Sequence, residues 1–184
     1  MSPRADAARN RERVLAAAEA VFAAKGTSAS TEEIAREAGV GIGTVFRHFP
    51  TKEALLSAVL SARLEAMADQ ADALAEADDP AEALFVFIRR AVEQARTKNA
   101  YTAALAAAGI DARNLATDAK PRVRDAVQRL LTSAHKAGAI RPDIGVDELF
   151  ALLVGASHIA EYTEWNAEVL DRTLAVLFDG LRPR

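Results

Sequence analysis

At 184 residues, with 51% hydrophobic and 27% charged positions, the chain has room for one ordinary domain or a small domain fused to a medium one, and it is too apolar for wholesale disorder. With no cysteine it excludes disulfides, thiolate metal sites and thiol redox switching. The net charge of -3 hides an asymmetry: residues 1–52 hold eight Lys/Arg against six Asp/Glu, and the remainder fifteen against twenty. Phosphate binding depends on local charge, so a basic front on an acidic body leaves a nucleic-acid partner open.

Abundant alanine, 5% aromatics and scarce β-branched runs favour an all-α fold of about nine helices. A mobile basic tail is expected over 1–9. The first helix is expected over about Asn10–Ala24, with Val14, Ala17, Ala18, Val21 and Phe22 on one face. After Gly26, Ser30 caps a second helix and Glu33 completes a capping box. Gly39 ends it, Val40-Gly41 turns the chain, and a third helix covers about Ile42–His48. Thr51 then caps a long fourth helix from Lys52, with Leu55, Leu56, Val59, Leu60, Leu64 and Met67 inward. Asp79-Pro80 opens a fifth helix. Further helices are expected over about Ala100–Ala108, from Pro121 to near Gly138, over Asp147–Tyr162 and over Ala167–Asp179, with 110–120 irregular or partly helical. The domains expected are thus 10–53, a helix-turn-helix, and 54–184, a helical body.

Two short helices around a glycine turn place the second in a DNA major groove. Gly41 and Gly43 let the backbone approach DNA closely. Thr44 is suited to a phosphate or a thymine methyl, and Arg47 to guanine or phosphate. Val45 and Phe49 pack inward, while His48 either meets a phosphate or lies beside Phe49. Thr51 and Lys52 join free helix N–H groups to an ammonium at one phosphate. Thr31, Ile42 and Phe46 complete the DNA-facing set. Gly39-Val-Gly-Ile-Gly43 imitates a nucleotide loop, but such a loop follows a strand and this one follows a capped helix.

The stretch from Val14 to Val59, centred on Gly-Thr-Val-Phe-Arg-His-Phe-Pro-Thr-Lys-Glu-Ala-Leu-Leu, resembles the N-terminal domain of the TetR family of transcriptional repressors. The likeness is specific over about the first 60 residues and rests on length and helix count beyond them. It implies a homodimer that binds a palindromic operator on double-stranded DNA and leaves it when a small molecule enters the body. Phe46 stands where the family usually has a phosphate-binding tyrosine. Its ring can still pack on the sugar-phosphate backbone, but the hydroxyl is lost.

In the body, the helix at Asp147–Tyr162 is apolar around much of its girth, so it should be covered on two sides. The resemblance implies that, with the last helix, it forms a four-helix dimer interface through Leu149, Leu152, Leu153, Ile159, Val169, Leu170, Leu174, Leu177 and Phe178. An apolar or amphipathic effector would be lined by some of Phe87, Ile88, Val92, Tyr101, Leu105, Val127, Leu131, Phe150 and His158. His158, Glu161 and Glu164 lack the repeated Glu-x-x-His partner of a metal bundle, so no metal is expected. No nucleophile–base pair or nucleotide loop stands out, and neither enzyme activity nor a cofactor is expected. With no apolar run of about 20 residues and no apolar signal core at the start, the expected location is cytoplasmic, off the membrane. The competing reading is a helical ligand-binding or scaffolding dimer without DNA binding.

Overall fold

The computed structural model describes residues 3–111, 119–162 and 167–183, in backbone only at 3, 4, 96, 158–162 and 167. The described residues form helices throughout: α1 (Pro3–Lys25), α2 (Thr31–Ala38), α3 (Ile42–His48), α4 (Lys52–Ala75), α5 (Pro80–Glu93), α6 (Ala95–Ala107), α7 (Ala119–Lys136), α8 (Val146–Tyr162) and α9 (Ala167–Leu181). None is long and apolar enough to cross a membrane.

Three helices begin earlier than expected, among them α6, which starts at Ala95 rather than near Ala100. Helix α1 starts at Pro3 rather than near Asn10, so most of the expected mobile tail is helical. Proline suits a first helical position because its missing N–H has no helical partner there, and Asp6 in the first turn pairs with Arg9. Helix α7 likewise starts at Ala119, which puts Pro121 inside the first turn, where it breaks no hydrogen bond.

The chain divides into two compact units. The first comprises Met1–Arg63 and Thr97–Ala116, and so reaches beyond the 10–53 segment expected for the reader. Here α1 packs on α2 and α3. Val14, Ala18, Ile34, Val45 and Leu55 are wholly buried. Residues of α6 join them: the Tyr101 ring meets Phe22 edge-on at 6.0 Å between centroids. The Arg63 guanidinium lies 5.8 Å over the same ring and holds Glu19 at 3.0 Å. The buried Tyr101 hydroxyl has no hydrogen-bond partner among the described residues, and burial raises its pKa above that of an ordinary tyrosine.

The second unit comprises Leu64–Arg96 and Thr117–Arg184. Its apolar cluster draws on Ala68 and Ala71 of α4, on α5, α7 and α8, and on Leu174 and Leu181 of α9. Arg122–Asp69 and Arg129–Asp72 tie α7 to α4, and Arg124 holds Asp147 at the start of α8 at 2.7 Å. Arg89 pairs with Asp171, and the Phe85 and Phe178 rings stack at 4.3 Å. These ion pairs are largely exposed, so the cluster beneath them contributes most of the stability.

The effector residues expected from the sequence fall in both units. Phe87, Ile88, Val92, Val127 and Leu131 are buried together in the second, with Phe150 packed against them. Tyr101 and Leu105 are buried in the first. The side chain of His158 lies outside the described residues, as do those of Ile159 and Glu161 and the whole of Glu164. Two surface grooves of the second unit, about 330 and 430 Å³, are lined by none of these expected residues.

The interface residues also separate. Leu149 and Leu174 are each 1% exposed, and Leu153 is buried with them, so all three spend their apolar surface inside the protomer. Leu170, Leu177 and Phe178 are half-buried against the same cluster, and Val169 is half-buried. Leu152 stays exposed, and so does Val176 of α9.

Candidate nucleic-acid interface

Local sequence sets the geometry of the α2–turn–α3 unit. The Ser30 hydroxyl accepts from the Glu33 N–H at 3.2 Å, and the Ser30 N–H donates to the Glu33 carboxylate at 3.1 Å. Lys25 reaches that carboxylate at 2.6 Å. The Glu33 carboxyl therefore sits below the usual range, chiefly through the hydrogen bond from Lys25 and then that from Ser30. At the other end Gly39 adopts φ +63°, a left-handed conformation that an L side chain resists, and the Val40 N–H closes on the Ala35 carbonyl at 3.0 Å. Arg13 of α1 donates to the Ala38 carbonyl at 2.6 Å, fastening the turn.

Gly41 then caps α3, with its carbonyl accepting from the Thr44 N–H at 2.8 Å. Helical phase sorts the seven residues of α3. Val45 is wholly buried, and so is Phe49 just beyond, with the Arg11 guanidinium 5.2 Å over its ring. Gly41, Ile42, Gly43, Phe46 and Arg47 face outward, while Thr44 and His48 lie at the margins. The His48 ring also lies beside Phe49, 6.5 Å between centroids. Nothing lies within 4 Å of where a Cβ would stand on Gly41 or Gly43. Packing within the chain therefore does not demand either glycine, although Gly43 costs the helix about 1 kcal/mol relative to alanine.

Helix α4 opens beside this face. The Thr51 hydroxyl accepts from the Ala54 N–H at 3.1 Å, the cap expected from sequence. The Glu53 carboxylate lies in the first turn of α4, beside its own backbone N–H, the Thr51 hydroxyl and Lys52. These contacts lower its pKa, in that order of importance. An anion of the protein's own thus occupies the helix start to which the sequence reading assigned a phosphate. A Glu directly after Lys52 was the available signal. Thr31, the first residue of α2, is half-exposed.

Comparison with known proteins agrees with this geometry. Residues 14–59 match the family model for bacterial regulatory proteins of the tetR family, and 79–183 match the model described as transcriptional regulator SbtR-like, C-terminal domain. A TetR transcription regulatory protein from Mycobacterium vanbaalenii is similar over 99% of this chain and 100% of its own, with 42% identity and a TM-score of 0.80. A TetR transcriptional regulator from Streptomyces coelicolor is similar over 94% and 98%, with 36% identity and a TM-score of 0.75. The HTH-type transcriptional regulator SrpR of Pseudomonas putida is 47% identical over 60 residues, which span 32% of this chain and 28% of that protein. The chain belongs to the TetR family of bacterial transcriptional regulators and carries that family's helix-turn-helix DNA-binding domain.

Proposed function

We propose that the chain is a repressor that binds a palindromic operator as a homodimer and releases it when a small apolar or amphipathic effector binds. The observation that carries this is the sorting of α3: Val45 is buried while Ile42, Gly43, Phe46 and Arg47 face outward. Two such helices must sit about 34–36 Å apart to enter successive major grooves, which asks for a two-fold dimer. Exposed Leu152 on α8 and Val176 on α9 support a second copy seated on those helices. The effector is proposed to lodge among the apolar side chains of the second unit, Phe87, Ile88, Val92, Val127, Leu131 and Phe150. It acts by binding more tightly to the conformation whose readers are wrongly spaced.

A gel-shift titration against duplex DNA from upstream of the chain's own gene tests the reading. Binding should be salt-sensitive and lost when the palindrome is scrambled. Lys52→Ala should weaken binding to all sequences alike, whereas Arg47→Ala should also relax preference at one base pair. Equal affinity for operator and scrambled duplex would remove sequence reading, and binding to neither would favour the scaffolding alternative.

A further inference from the structure

Among the described residues, few large apolar side chains stand open, and two of them share the short α3: Ile42 is 38% exposed and Phe46 is 43% exposed. Positions i and i+4 lie on one helix face, so they form a single apolar edge. Neither fills the core beneath, because Val45 and Phe49 already do. Leaving such an edge in water forgoes the free energy of burying it, and contiguous exposed apolar surface marks a contact site. Gly43 between them presents no side chain and has open space above it, so a flat surface can come flush with the edge. Arg47 is exposed beside it.

The major groove of a duplex presents one apolar group, the C5-methyl of thymine. The N-terminal residues of a reading helix are those that face base edges, and Ile42 is the first residue of α3. Four residues of helix rise about 6 Å, within reach of methyls on neighbouring steps about 3.4 Å apart. Resting on the DNA-binding reading above, we propose that Ile42 and Phe46 read thymine C5-methyl groups in each operator half-site, the Phe46 ring meeting the base edge rather than the sugar-phosphate backbone. Part of the recognition signal would then be a pattern of methyls rather than of donors and acceptors.

The unaltered full chain should first be used to select duplexes from a random pool. Thymines of the selected half-sites are then replaced singly by deoxyuridine, which keeps base pairing and removes only the methyl. The selected duplexes should carry thymines in both half-sites. Affinity should fall about threefold to fivefold for each contacted methyl removed, while flanking replacements do nothing. In Ile42→Ala and Phe46→Ala the penalty at the matching position should shrink toward unity. Both side chains are exposed, so the variants are expected to fold. If one does not, the deoxyuridine series on the unaltered chain still decides. Affinity unchanged by deoxyuridine throughout the half-sites overturns the proposal and leaves DNA binding standing. Failure to enrich any duplex overturns the DNA-binding reading and the proposal together.

Discussion

Gly39 and Glu53 show how single residues set the terms for the reader. Gly39 combines a φ of +63° with an Arg13 nitrogen only 2.8 Å from where a Cβ would stand. Gly39→Ala therefore forces a left-handed alanine and pushes aside the arginine that caps the Ala38 carbonyl. A loss of about 1–2 kcal/mol is expected in chemical denaturation, since the conformational cost alone is of that size. A change within error would mean that the turn relaxes freely. Glu53 is a different case. Its carboxylate lies in the first turn of α4, where a negative charge would oppose a phosphate offered to the same helix start. Glu53→Gln should strengthen binding to operator and unrelated duplex alike, by about twofold to fivefold at low salt. A gain confined to operator would show that Glu53 acts on base reading instead. The sequence pointed to Gly39, because a glycine three residues past Arg36 is a plain helix stop. It did not point to Glu53, because a carboxylate after a cap reads equally well as a helix stabiliser or as a stand-in for phosphate.

At the scale of elements, helix ends were more legible than helix neighbours. Ser30 with Glu33, Thr51, and Asp79 with Pro80 each announced a helix start, and each cap hydrogen bond forms. Gly26, Gly39, Gly109 and Gly138 all take positive φ at the stops they suggested. These signals are local, so the chain alone reveals them. The start of α1 was missed because its alanines and charges carry no apolar period there. Ser30→Ala is expected to cost about 1 kcal/mol, read from thermal unfolding, through loss of the N-cap bond. Glu33 adds a pH signature to the same element. Its folded pKa is depressed, so its contribution to stability is present above the unfolded value and is lost as pH falls through the folded one. Stability should thus decline below about pH 4.5, and Glu33→Gln should make that decline shallower. An identical acid limb in the variant would remove Glu33 from the account.

For the whole molecule, apolar periodicity told which residues are buried but not against what. Leu149 and Leu152 look alike in sequence, yet the first is inside the protomer and the second is open. Which side of α8 faces its own core depends on α7, just before it, and on α5, distant in sequence. Tyr101 and Leu105, expected to line the effector site, are buried in the unit that contains the reader, a placement that periodicity alone does not reveal. Val176 is 74% exposed, and the proposed second copy would cover it together with Leu152. Pairing Leu152→Asp with Val176→Asp should move the chain toward monomer in sedimentation at micromolar concentration. It should lower operator affinity by at least tenfold, because a lone reader loses the tethered second contact. A monomeric variant with full affinity would remove the dimer from the mechanism.

The first compact unit is not one stretch of chain: the polypeptide leaves after Arg63 and returns at Thr97 to supply Tyr101 against Phe22 and Arg63. Hybrid regulators spliced after α4 would pair this head with another protein's tyrosine position. Where that foreign residue cannot seat against Phe22, the splice should fail for steric reasons alone. Swapping heads between relatives thus calls for three crossovers, after 63, before 97 and after 116, with 97–116 travelling alongside the front of the chain.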